Sequence, residues 1–287
     1  MGLAKRGVAI IGPGRVGQAL GKLLADAGIP ICFVAARRPE AARRAVRFIG
    51  HGVPVALNSR QLTEASVILL TTADAALQPV AHHLVALSSD WTGKVVLHTC
   101  GSLPSTVLQP LRRRGAAIGS LHPFQTIPNP ATGVRNLKGC FWGIEGDPAA
   151  RKVAAQWVKA LGGVAFPIRA SQKTLYHAAA FLVGPTLVTL MDRSARLLRQ
   201  AGVPARIVRP MLGRFVEETV RNFVELGGRR SLTGPAVRGD WPTIRRHLRA
   251  LRRSFPDIIP LYHALVRAML CLTGRRPPPS LERILKR

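Results

Sequence analysis

Lys173, Tyr176 and His177 stand three and four residues apart in the run Lys173-Thr-Leu-Tyr-His-Ala-Ala-Ala180. On a helix that spacing puts all three on one face. Apolar neighbours lower the basicity of a lysine, which suits it to acid-base work near neutrality, although a lone lysine on a helix is also an ordinary solvated group. His122, in His122-Pro-Phe-Gln-Thr126, is a second group able to hand on a proton; a histidine there also serves simply to cap a loop. Hydroxyls, a carboxylate and backbone N–H groups gather at Thr71-Thr-Ala-Asp74 and at His98-Thr-Cys-Gly-Ser102. Thr71, Thr72, Asp74, Thr99 and Ser102 can contact a bound ligand, or equally bond their own turns. The chain has no His-Glu-x-x-His, no carboxylate cluster and no Gly-x-Ser-x-Gly. No metal site is expected, and metal-assisted hydrolysis and esterase chemistry are set aside.

What these groups would act on is suggested near the N-terminus. Val8-Ala-Ile-Ile11 reads as a buried strand and runs straight into Gly12-Pro-Gly-Arg-Val-Gly17, a G-x-G-x-x-G, which opens a helical pattern ending at Gly28. A strand, that turn and a helix are the context in which the motif binds a dinucleotide. Gly12 permits the tight turn, Gly14 lets a pyrophosphate approach the backbone, and Gly17 lets helix and strand pack closely. Gly12, Pro13, Gly14, Arg15, Val16 and Gly17 would then surround the phosphates at a helix N-terminus. The second strand, Ile31 to Ala36, ends without the carboxylate that holds the ribose 2′-hydroxyl of NAD and continues into Arg37 and Arg38. Two guanidiniums there favour the 2′-phosphate of NADP, although in so arginine-rich a chain the same pair also reads as a solvated helix start.

Further strands are expected at Ala65–Thr72, Lys94–Thr99, Ala116–Leu121, Gly139–Ile144 and Val164–Ile168, with helices at 40–49 and 147–161. Strands alternating with helices predict an α/β Rossmann domain, a doubly wound and mostly parallel sheet, over residues 1–168. From about residue 170 the periodicity becomes helical, with segments near 171–201, 205–227, 240–253 and 257–273, so an all-α domain is expected over 169–287. Gly184-Pro185 falls inside the first segment and predicts a kink or break. The proton-bearing groups should meet in the crevice outside the carboxyl ends of the strands.

No apolar run approaches 18 residues, so no membrane span is expected. Four scattered cysteines without a C-x-x-C fit a reduced, cytoplasmic protein. The net charge of +28 would attract polyanions. Neither a zinc finger nor an RNP-like run is present, and aromatic content is only 5%, so nucleic acid is not the expected partner.

The chain resembles the proteins in which a Rossmann-like domain precedes the domain called DUF2520. These are oxidoreductases by inference, related to ketopantoate reductases, pyrroline-carboxylate reductases and β-hydroxyacid dehydrogenases. The segments that carry the resemblance are Ile10–Gly17, His98–Ser102, Gly119–Pro123, Lys173–Ala180 and Leu232–Asp240. It implies that Lys173 corresponds to the acid-base lysine of the β-hydroxyacid dehydrogenases, with His177 where they carry an asparagine. It also implies dimerisation through the helical domain, with residues 233–240 near the dimer contact. The resulting expectation is an NADPH-dependent reductase of a small carbonyl or imine compound such as a 2-keto acid, with Lys173 as proton donor aided by His177 or His122. A ketopantoate reductase proper is the alternative among enzymes. A non-catalytic NADP-binding protein with a polyanion-binding surface is the alternative outside them.

Overall fold

The computed structural model describes residues 7–286. Its contacts divide the chain into two compact units, Met1–Thr186 and Leu187–Arg287. The first unit holds one eight-stranded sheet of β1 (Val8–Ile11), β2 (Ile31–Ala36), β3 (Val53–Ala56), β4 (Val67–Leu70), β5 (Val95–His98), β6 (Ala117–Pro123), β7 (Phe141–Gly146) and β8 (Val164–Pro167). The spatial order is β3-β2-β1-β4-β5-β6-β7-β8, and every neighbouring pair is parallel except β6 with β7. Its helices are α1 (Arg15–Asp26), α2 (Pro39–Ile49), α3 (Leu77–Leu87), α4 (Gln109–Arg112), α5 (Pro130–Leu137), α6 (Pro148–Ala160) and α7 (Lys173–Val183).

Side chains of a strand alternate between faces, and here both faces are covered. Val8 and Ile10 of β1 join Leu20 and Leu24 of α1 and Val153 and Trp157 of α6 in one core. Ala9 and Ile11 join Leu77, Val80 and Leu84 of α3 and Trp91 in the other. This is the doubly wound α/β architecture expected from the sequence. The reversal of strand order lies between β1 and β4, so the turn after β1 opens at the switch point where such sheets bind ligands.

Three details differ from the sequence reading. β6 continues through His122 and Pro123 because β7 pairs with it antiparallel, His122 opposite Gly143 and Pro123 opposite Trp142. β3 and α3 were not evident as periodic segments; β3 is an exposed edge strand that tolerates Pro54. α7 belongs to the compact unit of the sheet, although the change to helical periodicity comes before it.

The second unit follows the break at Gly184, after which Pro185 starts a new helix. It contains α8 (Pro185–Gln200), α9 (Ala205–Leu226), α10 (Gly228–Ser231), α11 (Pro235–Arg238), α12 (Trp241–Ser254), α13 (Ile259–Thr273) and α14 (Pro279–Lys286). The all-α expectation holds. Ile244 and Leu248 of α12, Val266 and Leu270 of α13, and Leu281 and Leu285 of α14 form its core. The proline run Pro277-Pro-Pro279 does not end the helical structure: Pro279 starts α14, a position at which proline's missing N–H costs nothing. Among the described residues one stretch, 170–200, is long and apolar enough to cross a membrane by length and composition. It is interrupted at Gly184, and Lys173 near its start is buried against the sheet.

Candidate functional site

The three glycines of the first turn separate by what surrounds them. Gly12 has φ +75°, a conformation that favours glycine, and a Cβ there would run into Thr72. A Cβ on Gly17 would collide with the Thr71 hydroxyl. Gly14 differs: its φ is −73°, and the nearest atom to an added Cβ is the Gly12 carbonyl oxygen at 3.9 Å. Among the described residues no side chain crowds the Cβ position of Gly14, and a close approach there is what a pyrophosphate needs. Gly14 caps α1 without a side-chain hydrogen bond, leaving the first-turn N–H groups of Arg15, Val16 and Gly17 without a side-chain partner. The Pro13 carbonyl accepts from Gln18 Nε2 at 3.0 Å, and the Thr71 hydroxyl donates to the Gly12 carbonyl at 2.8 Å. Both bonds brace the turn. Thr72 Oγ1 is buried without a partner beside it. Arg37 and Arg38 are exposed at the carboxyl end of β2, and neither forms an ion pair among the described residues. These residues fit a dinucleotide carrying a 2′-phosphate.

A second group of residues gathers at the carboxyl ends of β5 and β6, where α7 meets them. His122 Nδ1 is 2.9 Å from the Tyr176 hydroxyl, and the His122 and His177 rings meet edge to face with centroids 5.8 Å apart. A Cβ on Gly101 would sit 2.6 Å from His122 Nε2 and 2.6 Å from His177 Cδ2, so both imidazoles border the backbone at Gly101. The Tyr176 ring packs against Phe124 and Phe166. Its hydroxyl lies 3.1 Å from where Gly143 would carry a Cβ, so the glycine opposite His122 makes room for it. Burial pushes His122 down to about 4, with help from the neighbouring His177 and Lys173 and against the pull of Asp74. The ring is therefore neutral at pH 7. Burial likewise pushes the Tyr176 phenol up to about 12.

Behind this pair Lys173 is fully buried. Its Nζ donates to the Cys100 carbonyl at 3.0 Å, to Ser120 Oγ and to Glu145 Oε1 at 3.4 Å. Three acceptors use the three hydrogens of an ammonium. Glu145 is also buried and accepts from the Ser105 N–H at 2.7 Å and from the Ser105 hydroxyl at 2.8 Å. Burial moves Lys173 below the usual lysine range, and the Glu145 carboxylate opposes that shift. The network ties α7 to β5, β6, β7 and the turn at Ser105.

Lys173, His177 and His122 are thus brought together: the two imidazoles border the Cβ position of Gly101, while Lys173 bonds the Cys100 carbonyl behind it. Ser102 donates to Asp74 Oδ2 at 3.1 Å, and the Thr99 N–H bonds the Leu70 carbonyl, so these residues line the carboxyl ends of β4 and β5. Sequence reasoning did not select Glu145, Ser120 or Ser105. A carboxylate inside the apolar strand Phe141-Trp-Gly-Ile-Glu-Gly146 was the available signal, because a buried charge needs a partner.

Comparison with known proteins matches residues 2–123 to the Rossmann-like domain and residues 140–269 to a domain of unknown function, DUF2520. No curated protein matches the chain. Among solved structures, one from Bacteroides fragilis, assigned as an NADP oxidoreductase, has 23% identity and a TM-score of 0.76, covering 96% of this chain and 100% of that one. A reductive aminase from Aspergillus terreus, in complex with NADPH and ethyl-5-oxohexanoate, has 18% identity and a TM-score of 0.68, with coverage of 92% and 93%. A pyrroline-5-carboxylate reductase from Coxiella burnetii has 15% identity and a TM-score of 0.60, with coverage of 93% and 98%. At these identities the likeness is one of fold. The two domain matches follow one another along the sequence: a Rossmann-like domain over residues 2–123 and a DUF2520 domain over residues 140–269.

Proposed function

We propose that the protein is an NADPH-dependent reductase of a small carbonyl or imine compound, 2-keto acids and cyclic imines being the first classes to test. The observation that carries this reading is the meeting of His122 and His177 at Gly101, with Tyr176 bonded to His122, in the same unit as a glycine turn in which a Cβ on Gly14 would meet no described atom closer than 3.9 Å. Fold neighbours that include an NADPH-bound reductive aminase and a pyrroline-5-carboxylate reductase support it. The glycine turn holds the pyrophosphate, and Arg37 and Arg38 take the 2′-phosphate. NADPH bound there supplies a hydride for the substrate carbon.

In this reading His122 faces the reacting oxygen or nitrogen and passes it a proton, and His177 orients the substrate. Lys173 was the donor expected from sequence. Its full burial among three acceptors favours another part: it positions the Gly101 turn through Cys100 and holds α7 in place. The test is oxidation of NADPH with a panel of 2-keto acids, ketopantoate among them, and cyclic imines. Turnover that collapses in His122→Gln supports the reading. Tight NADPH binding with no turnover on any member of the panel would replace it with a dinucleotide-binding protein that does not reduce.

The working molecule in this proposal is a cytoplasmic homodimer. Cys32, Cys100, Cys140 and Cys271 are all free thiols, as a reducing compartment would leave them. α9 buries only Val208 within its own unit and exposes Phe215, Val220, Phe223 and Val224, apolar surface that a second copy would cover.

A further inference from the structure

Tyr176 is the residue whose role the reductase reading leaves open, and its geometry is specific. The phenol has one hydrogen to give. The His122 Nδ1 lies at 2.9 Å and the His122 carbonyl oxygen at 3.5 Å; the opposite arrangement has Nδ1–H donating to the phenol oxygen and the phenol donating to that carbonyl, and the shorter Nδ1 contact favours the phenol as donor to Nδ1. A neutral imidazole that accepts at Nδ1 carries its own hydrogen on Nε2. Nε2 is the nitrogen that borders the backbone at Gly101, on the side shared with His177.

We infer that Tyr176 is a positioning residue that locks His122 as the Nε2–H tautomer and replaces the proton His122 gives away. The proton balance requires such a partner. A neutral ring that surrenders its only N–H would be left as an imidazolate. With Tyr176 in place, the hydride bonds to the substrate carbon, and the π electrons of the C=O or C=N bond move onto the heteroatom. The Nε2 proton bonds to that heteroatom, and the Tyr176 proton moves to Nδ1. The products are the reduced substrate, oxidised dinucleotide, an imidazole of the opposite tautomer and a phenolate, which takes a proton from water. The groups facing His122 are Tyr176, His177 and Lys173 from α7 and Asp74 from the turn after β4. His177 and Lys173 act on His122 in the same direction as its burial, keeping the ring neutral as the relay needs. The chemistry rests on the reductase reading, but the tautomer does not, and the two are tested apart.

The experiment is ¹⁵N NMR of the imidazoles in the full chain at pH 7, with His122 assigned by comparison with His122→Asn. Wild type should show a bare Nδ1 and a protonated Nε2. Tyr176→Phe keeps the ring that packs on Phe124 and Phe166, so a melting temperature close to wild type is expected, while His122 becomes a mixture of tautomers. Kinetics should separate the role from a structural one: kcat falls at least about tenfold with KM nearly unchanged, and Tyr176→Trp, which packs a ring without the phenol, gives no rescue. An Nδ1–H tautomer in wild type, or an unchanged tautomer in Tyr176→Phe, overturns the inference whatever the substrate proves to be. Absence of turnover with the expected tautomers present counts against the reductase reading alone.

Discussion

At Lys173, His122 and Glu145 the side chains act as pairs and triads, and each should be perturbed with its partners in mind. His122→Gln removes the transferable proton but keeps a polar side chain. Turnover should fall by about 10²–10⁴, the usual contribution of a positioned acid, while the NADPH dissociation constant stays within a few-fold. Near-normal kcat in that variant would return the donor's role to Lys173. Lys173→Met strands the buried Glu145 carboxylate, and removing one partner of a buried ion pair costs roughly 3–5 kcal/mol. Its melting temperature should drop, and adding Glu145→Gln should recover part of the loss. The pH dependence of stability has a definite sign. In the folded protein burial holds His98 near 3 and His122 near 4, against 6.5 for the unperturbed ring. Below pH 6.5 the unfolded chain therefore binds more protons, so stability is lost as pH falls from there towards 4. The loss is about 1.4 kcal/mol per pH unit for each ring. Urea midpoints at pH 7.5 and 5 check this, and His122→Gln should show a shallower fall. The proton-bearing residues of the site were legible because their types and helical spacing are local properties. The partners of Lys173 were not: Ser120 and Glu145 lie 53 and 28 residues away in sequence and meet it only through the sheet.

Whole elements were legible to the extent that their pattern is autonomous. β1, the glycine turn and α1 are fixed by a buried strand, three glycines and a heptad-like apolar stripe, and the structure has them where the sequence puts them. The reach of β6 through His122 was not readable, because it depends on a partner strand that runs the other way. α14 was hidden by its prolines, since Leu281 and Leu285 look helical only once there is a core for them to enter. The glycine turn allows a test at this scale, because its glycines have different reasons to be glycine. Gly14→Val meets no protein atom at the Cβ position closer than 3.9 Å, so it should fold with an unchanged melting temperature and yet lose NADPH binding by calorimetry. Gly17→Val forces aside the Thr71 hydroxyl that holds the Gly12 carbonyl, and overpacking of that kind costs about 1–3 kcal/mol. A Gly14→Val protein that binds NADPH as wild type would remove the pyrophosphate from that turn.

The whole chain carries two opposing tendencies. A net charge of +28 makes two copies repel, whereas the apolar residues left uncovered on α9 favour their association. Along α8 and α9 the sequence carries Leu197, Leu198, Val208, Met211, Leu212, Phe215 and Val216, more apolar side chains than a few helices beside a sheet easily bury among themselves. Of these the structure encloses Val208 and exposes Met211 and Phe215, and it extends the exposed set along the helix to Val220, Phe223 and Val224. Hydrophobic attraction acts at contact and is little affected by moderate salt, while charge repulsion is screened over a Debye length of about 8 Å at physiological ionic strength. The balance should therefore depend on salt. Light scattering at micromolar concentration and 0.15 M salt, the ionic strength of that screening length, should give about twice the chain mass of 31.0 kDa. Dilution into low salt should raise the share of monomer. Replacing Phe223 and Val224 with Asp should give monomer at every salt concentration without unfolding either unit, since neither side chain lies in a core. A wild-type protein that stays monomeric at moderate salt would mean that α9 is covered by something other than a second copy of this chain.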